Sequence, residues 1–526
     1  MRAPLRGAGN CAPSPNDAAP GIEIAAPPPW PPRLLAGVTT PYGDAERLDR
    51  VAHLTVHGTA PVLSAAELVA LSENIGLRGR GGAGFPLARK LTAVQTALRA
   101  DRRAAVVVNG TEGEPSCLKD TALLLYAPHL VLDGALLAAR ALGAQQVAVG
   151  VTRPDVADSV GRAIAERGPM PQQLRVTRLP ERFVTGEGSA LTDGLDGGPA
   201  LPSGRRVRSS ERGLGGLPTL LSNTETYAQL AVAARLGALA YRGVGVPDEP
   251  GTLLLTVAGA RVLEAPTGVP LARVLEYCGT GPGQGILIGG YHGTFLSPAA
   301  ARTVTLDRAS LAAHGAVLGA GAVLPLPEGT CAAGEAAAVA RWLAGESAGQ
   351  CGPCALGLPA LADALEAVVR GGGERALAAV RDRSRAIARR GACGHPDGTV
   401  RFVASALAAF PEEFAAHAYG GGCGRPVLGA LPLPGGSARA AAPSAARSAA
   451  RPAARPAAPA AQLVVDWTLC RGHGLCADLA PGVVRLGPDG YPQQAAMPLP
   501  ARMRRRARLA VRRCPALALR VRPDTG

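Results

Sequence analysis

Six of the eleven cysteines in this 526-residue chain fall into two groups whose spacing suits metal ligation. Cys351 and Cys354 form C-x-x-C in "ESAGQCGPCALG", with Cys393 far downstream in "GACGHPDG". Cys470 and Cys476 flank His473 in "LCRGHGLCADL", and Cys514 stands before Pro515. Thiolates grouped in this way hold iron–sulfur clusters or zinc, while a lone C-x-x-C also serves as a redox dithiol. A third feature is "GLRGRGGAGFPLARK", residues 76–90, whose bare glycine amides can approach a phosphate or a flat ring. Its Lys90 is one of only two lysines among 55 basic residues, the other being Lys119. Where arginine serves every generic need for a cation, a retained lysine points to a site that needs a compact ammonium.

These residues must be carried by elements that bring them together. Residues 62–245 alternate helical and strand patterns: a helix over 64–73, buried strand "AAVVVNG" (104–110), a long amphipathic segment over 119–143, strand "QVAVGV" (146–151), a helix over 154–167 and strand "LRVTRL" (174–179). Such βαβαβ order predicts a largely parallel sheet with both faces covered. "VVVNGTEGEPSCLKD" then places Asn109, Glu112 and Glu114 in the turn after a buried strand, where α/β sheets bind ligands. "GRGGAG" (79–84) satisfies G-x-G-x-x-G, but a dinucleotide fingerprint needs a strand before it and an acid after the next strand. Here a helix precedes it and Asp101 comes before the strand, so the Rossmann reading is set aside.

The expected domains are a disordered lead-in over 1–45, an α/β nucleotide-binding domain over 46–245, a β-grasp-like domain over 246–300 and an all-α cysteine-bearing domain over 301–423. An Ala/Pro/Arg-rich linker over 424–461 and a small α+β domain over 462–526 complete the chain. The net charge of +15 comes from dispersed arginine without a basic stripe interleaved with aromatics, so nucleic-acid binding is not expected. The longest apolar run, Leu123 to Val151, is broken by His129, Asp133 and Arg140, which argues against a membrane span. No apolar signal core opens the chain, and a cytoplasmic protein with reduced or metal-bound cysteines is expected.

Taken in order, the glycine loop, "VVVNGTEGEPSCLKD", "RFVTGEGSALTDGLDG" and "GLPTLLSNTETYA" resemble the flavin-bearing, NADH-oxidising subunit of respiratory complex I and its soluble relatives. The resemblance implies FMN and NAD(P)H at Gly79, Arg80, Gly81, Gly82 and Gly84, with Phe85 stacking on the dinucleotide. It implies that Lys90 and Asn109 contact FMN, that Glu112 and Phe183 join the cofactor site, that Glu114 helps bind NADH, and that Gly186, Glu187 and Asn223 line the flavin cavity. No side chain is expected to act as acid or base, because hydride passes directly to the flavin, which can exchange either one or two electrons. Thr111, Gly188 and Ser222 depart from the family pattern, as do Ala93 and Arg208 where stacking aromatics are usual. Those losses make the pocket less negative, and Arg208 suits the extra phosphate of NADPH.

The family's cluster pattern is C-x-x-C-x-x-C with a distant fourth cysteine, and Ala348 stands at its first position. Cys351, Cys354 and Cys393 leave open [3Fe–4S], [4Fe–4S] completed by water, Cys331 or His395, zinc, or an empty site. The C-terminal stretch resembles the single-cluster ferredoxins that serve bacterial cytochromes P450, with Cys470, His473, Cys476 and Cys514 as ligands of [3Fe–4S] or [4Fe–4S]. A zinc Cys3His site competes with this reading. Cys11, Cys117, Cys278 and Cys423 are expected to be unliganded. The implied function is electron transfer from NAD(P)H through FMN and two clusters to a redox acceptor such as a P450, with additional complex subunits as compatible partners. The alternatives are a non-catalytic relay or scaffold and a zinc-stabilised binding protein.

Overall fold

The computed structural model describes residues 22–25, 30–39, 44–98, 103–204, 207–434, 461–470, 472, 474–487, 490–514 and 516–523. The first sheet is all parallel, in the spatial order Gln173–Arg178, Gln146–Val151, Ala105–Gly110, Thr219–Asn223. The valine-rich strand Ala105–Gly110 lies inside it, covered on both faces, which explains its unbroken apolar run. Strand Thr219–Asn223 was not expected; it is short, and register pairs Asn109 with Asn223 across the neighbouring strands. Chain order reverses between these two strands, and such a switch point opens a crevice at the strands' C-terminal ends. Both asparagines stand there.

Helix Ala65–Asn74 starts at a capping box formed by Ser64 and Glu67. The amphipathic segment over 119–143 is two helices, Lys119–Tyr126 and Pro128–Leu142, bent by 94° where Pro128 cannot continue the first. Nearly all of their side chains are buried in the core of this domain. Among the described residues no single helix is long and apolar enough to cross a membrane.

A second sheet has six strands in the order Glu23–Ile24, Arg261–Pro266, Thr252–Val257, Ala322–Leu326, Gly285–Ile288, Thr294–Leu296. It thus extends past the boundary expected at 300 and takes in the apolar run 322–326. It also recruits part of the lead-in, which is ordered here instead of disordered. Buried Glu264 accepts the backbone N–H groups of Arg33, Leu34 and Leu35 at 2.9, 2.8 and 3.0 Å, so one carboxylate fixes three consecutive residues, while Arg33 donates to the Tyr241 carbonyl at 2.8 Å and Leu34, Leu35 and Val38 enter the core.

The helices Ala332–Gly345, Leu358–Val369, Gly373–Ile387, His395–Ala409 and Pro411–Gly420 form one apolar cluster around Leu343, Leu361, Leu365 and Phe402. A π-helical turn, Pro353–Gly357, carries Cys354 into the second of them. The last unit is a three-stranded antiparallel sheet of Ala496–Pro498, Ala461–Val465 and Leu519–Pro523 with helices Leu475–Leu479 and Arg504–Arg513. Residues 435–460 of the linker, together with His473 and Pro515, lie outside the described residues.

Candidate functional site

The glycine loop is a closed turn: Gly79 N–H donates to the Phe85 carbonyl and Leu87 N–H to that of Leu77, both at 2.9 Å. Gly82 and Gly84 have φ of +102° and +59°, a region that penalises any Cβ. Phe85 is exposed at the tip. The loop rests on the strand ends, where a Cβ on Gly81 would lie 3.1 Å from that of Asn223. Its backbone is pinned by Arg80 N–H donating to Thr226 Oγ1 at 2.9 Å. The Arg80 guanidinium turns inward, to Glu249 at 3.1 Å and the Thr252 carbonyl at 3.3 Å.

Around the switch point stand most of the residues expected at a flavin. The Lys90 ammonium donates to the Leu221 carbonyl at 2.9 Å, its only side-chain hydrogen bond among the described residues, and burial lowers its pKa. Asn109 Nδ2 donates to the Gly186 carbonyl at 2.9 Å, tying the first strand end to the "TGEG" loop. Its Oδ1 accepts from Thr111 Oγ1 at 2.6 Å, so Thr111 braces the asparagine where the family pattern has an acid. Glu187 caps helix Gly188–Leu195, accepting from the Ser189 and Ala190 N–H groups at 2.9 and 3.0 Å. Asn223 Nδ2 donates to Asp120 Oδ2 at 2.5 Å. Beside it the Ser222 hydroxyl is buried without a partner among the described residues.

Three residues expected at the cofactor engage other groups. Glu112 accepts from the N–H groups of Asp120 and Thr121 at 3.1 and 2.8 Å and so caps helix Lys119–Tyr126. Burial, reinforced by Asp120, pushes its carboxyl up to about 7. Glu114 accepts from Ser116 Oγ at 2.6 Å and Tyr291 N–H at 2.7 Å, and burial pushes it up to about 7 as well. Phe183 faces the helical domain, with its ring centroid 4.7, 5.3 and 5.5 Å from those of His292, His395 and Trp342. A cavity of about 240 Å³ lies against the other flank of the glycine loop, lined by Lys119, Glu225, Arg308 and residues 316–319 and 321. Lys119 bonds Asp120 at 2.8 Å and Glu225 at 3.0 Å. Burial opposes its charge, but the two carboxylates outweigh that and raise its pKa. The cluster escaped motif reading, and its sole signal was the scarcity of lysine.

The thiols of Cys351, Cys354 and Cys393 stand close enough to act on one another. Cys354 has its pKa raised by both neighbours, while Cys351 is drawn down to about 6 by the Cys354 thiol against the opposing effect of burial. Cys393 is lowered by the same neighbour. His395 does not join them: Nε2 lies 2.8 Å from the Leu343 carbonyl and Nδ1 3.2 Å from His292 Nε2. Cys331 belongs elsewhere, with Sγ 3.1 Å from His417 Nε2. In the last domain the Cys476 thiol is raised by burial and, to a smaller extent, by Cys470 and Cys514. Cys117 is buried and donates to the Ala320 carbonyl at 3.1 Å.

The side chains fit the implied groups. Free glycine backbone, an under-used Lys90 and the Ser222 hydroxyl, unpartnered among the described residues, suit a flavin phosphate or ring edge, and sets of three mutually interacting cysteines are the ligand type that iron–sulfur clusters take.

Comparison with known proteins agrees with this geometry. Residues 72–232 match the Nuo51 FMN-binding domain, 334–417 the NADH-ubiquinone oxidoreductase-F iron-sulfur binding region, and 463–521 a 4Fe-4S single cluster domain. The NADH-quinone oxidoreductase F subunit of Mycobacterium tuberculosis (strain ATCC 25618 / H37Rv) is 30% identical over 394 residues, covering 68% of this chain and 86% of the relative. The HndC subunit of the NADP-reducing hydrogenase of Solidesulfovibrio fructosivorans is 28% identical over 395 residues, covering 70% and 80%. An NAD+-reducing [NiFe]-hydrogenase in the H2-reduced state superposes with a TM-score of 0.62 at 27% identity, covering 72% of this chain and 69% of that one. The chain therefore carries an FMN-binding domain and two iron–sulfur binding regions, and it belongs to the family of NADH-quinone oxidoreductase F subunits.

Proposed function

We propose that this chain oxidises NAD(P)H at the glycine loop and delivers single electrons through its two cysteine trios to an external redox protein. FMN, when bound, exchanges a two-electron hydride for single electrons. Gly81, Gly82 and Gly84 admit its phosphate or ring against bare backbone, Lys90 contributes positive charge, and Asn109 and Asn223 orient it at the strand ends. The rings of Phe183, His292 and His395 pack on one another where the flavin domain meets the helical domain.

The observation that carries this reading is the seat of the last domain beside the helical cysteines. Trp467 packs so closely on Gly204 that a Cβ there would lie 2.9 Å from its ring, and 3.3 Å from Ala392, the neighbour of Cys393. Asp466 Oδ2 would lie 3.4 Å from a Cβ on Gly352, the neighbour of Cys351. Covalent tethering adds a high effective concentration to that contact. The exit would be the exposed arginines of Arg504–Arg513, a surface suited to an acidic redox partner. A cytochrome P450 as that acceptor rests on the ferredoxin resemblance alone.

The test is anaerobic mixing of the purified holo-chain with NADH or NADPH, followed by visible absorbance. Bleaching of the flavin and then of the clusters is expected, and a Cys470→Ser/Cys476→Ser variant should bleach its flavin but fail to reduce an added acceptor. Clusters present with no bleaching by either nucleotide would refute the enzymatic reading. That outcome would favour a relay, the reading supported by the internal engagement of both Glu112 and Glu114. Arg208, which is exposed, would favour NADPH, and equal rates with the two donors would remove that preference.

A further inference from the structure

The helical domain holds a second convergence of ligand-type side chains, away from both cysteine trios. Cys331 Sγ, a Glu413 carboxylate oxygen, His417 Nε2 and Cys423 Sγ all lie within 4.8 Å of one another, with the sulfur of Cys331 3.1 Å from the histidine nitrogen. We propose that these four residues bind one zinc ion, which clamps the segment following residue 420 onto the helical domain. Tetrahedral zinc, with bonds of about 2.3 Å to sulfur and 2.0–2.2 Å to nitrogen or oxygen, places its ligand atoms roughly 3.3–3.8 Å apart. The four atoms thus surround one point at the scale of a single ion.

The local structure builds this arrangement from three directions. Cys331 is the N-cap residue of helix Ala332–Gly345. Glu413 and His417 stand four apart on Pro411–Gly420 and therefore share a face. Gly421, in the left-handed region at φ +82°, ends that helix and turns the chain so that Cys423 comes back toward the others. Cys331, Glu413 and His417 are buried and Cys423 is half-buried.

Outer contacts orient three of the four ligands. His417 Nδ1 lies 3.0 Å from the Val369 carbonyl, which can only accept. The proton therefore sits on Nδ1, and Nε2 presents its lone pair to the site. Gly334 N–H donates to Cys331 Sγ at 3.2 Å, and Ala333 N–H donates to Glu413 Oε1 at 3.1 Å, with Arg425 on the other oxygen. Two sulfurs, one imidazole and one carboxylate suit zinc, and four protein ligands make a closed structural site.

The position of the site says what it would hold. Just beyond Cys423 the chain is strapped down by Glu335, whose carboxylate accepts from the N–H groups of Leu428, Ala430 and Leu431 at 3.0, 3.0 and 3.2 Å. The ion would lie at the root of this strap, where the chain leaves for the linker. Cys423, expected to be unliganded, and Cys331, weighed as a cluster ligand, would both be zinc ligands.

The test is elemental analysis of the full holo-chain purified anaerobically and washed with chelator, with zinc-edge X-ray absorption. One zinc per chain is expected, in a shell of two sulfurs and two nitrogen or oxygen atoms. Cys331→Ser and Cys423→Ser should lose it while keeping iron and flavin, and Cys351→Ser should keep it. Absence of stoichiometric zinc, retention in both serine variants, a zinc shell of three or four sulfurs, or a Cys331–Cys423 disulfide would overturn the proposal. Should the serine variants fail to fold, the wild-type absorption shell decides it. None of these readouts depends on nucleotide oxidation, so this proposal and the electron-transfer reading can fail separately.

Discussion

Replacing Glu114 by Gln should flatten a pH dependence that burial imposes on the FMN-binding domain. The half-buried carboxyl lies between Ser116 Oγ and Tyr291 N–H, and its desolvation raises its pKa from the ordinary 4.5 to about 7. Because the folded value is the higher, the protonated group contributes stability that is fully present below pH 4.5 and is lost as pH rises through about 7. With those two values, linkage makes the loss between pH 5 and pH 8 on the order of 2–3 kcal/mol, between one and two orders of magnitude in the opening equilibrium. Glutamine keeps an acceptor for Tyr291 and has no proton to lose. Glu112, raised in the same way, is present in both proteins and largely cancels from their ratio. The assay is hydrogen exchange of the amides in strand Ala105–Gly110 and helix Pro128–Leu142, corrected for intrinsic rates, on both proteins from pH 5 to pH 8. The wild-type to variant protection ratio should fall by more than an order of magnitude over that range. A ratio constant within about threefold would show that Glu114 ionises in place at little cost, and the account of its burial would be wrong.

Lys90→Met should weaken FMN binding roughly 10- to 150-fold, the range for losing a hydrogen bond to a charged group at about 1.5–3 kcal/mol. Fluorescence titration of the flavin-stripped chain measures it, and an unchanged Kd would remove Lys90 from the site. Gly113→Ala places a Cβ 2.8 Å from the Arg182 carbonyl oxygen and the Phe183 Cα, both backbone, so the two flavin-side loops must part. Flavin content should fall along with about 1–3 kcal/mol of stability, and full flavin occupancy at an unchanged melting temperature would contradict it. Ala348→Cys supplies the thiolate that the family pattern has and should alter the iron count and the paramagnetic spectrum of the helical cluster; identical values would place residue 348 out of reach of it.

Much of the flavin domain was legible because its strands are buried on both faces and bounded by turn residues, so "AAVVVNG", "QVAVGV" and "LRVTRL" could be read directly. Thr219–Asn223 was not, since five residues after a proline carry little periodic signal, yet it makes the switch point and brings Asn223 beside Asn109. The six-stranded sheet was only partly legible because its strands come from 23–24, 252–296 and 322–326. Pairing across such separations is decided by packing that no local window contains. The lead-in was misread for the same reason: what orders residues 33–35 is the Glu264 carboxylate, more than two hundred positions away.

At the site, motifs located the loops but could not say which side chains would be spent on the protein itself. Glu112, Glu114 and Phe183 sit in the right stretches, and the structure turns each toward protein partners. The two lysines reverse that lesson, because composition pointed to them before any contact was known. Lys119 is almost fully buried, bonded to Asp120 and Glu225, in a space so tight that a Cβ on Gly321 would lie 3.1 Å from its Cδ. A guanidinium is planar and forked, with five donors to satisfy, and neither that pocket nor its two carboxylates could accommodate it without leaving buried N–H groups unpaired. The compact ammonium fits both the volume and the number of partners. The same reasoning extends to Lys90, where a half-buried ammonium that bonds, among the described residues, only the Leu221 carbonyl keeps its remaining donors available at the edge of the proposed flavin site.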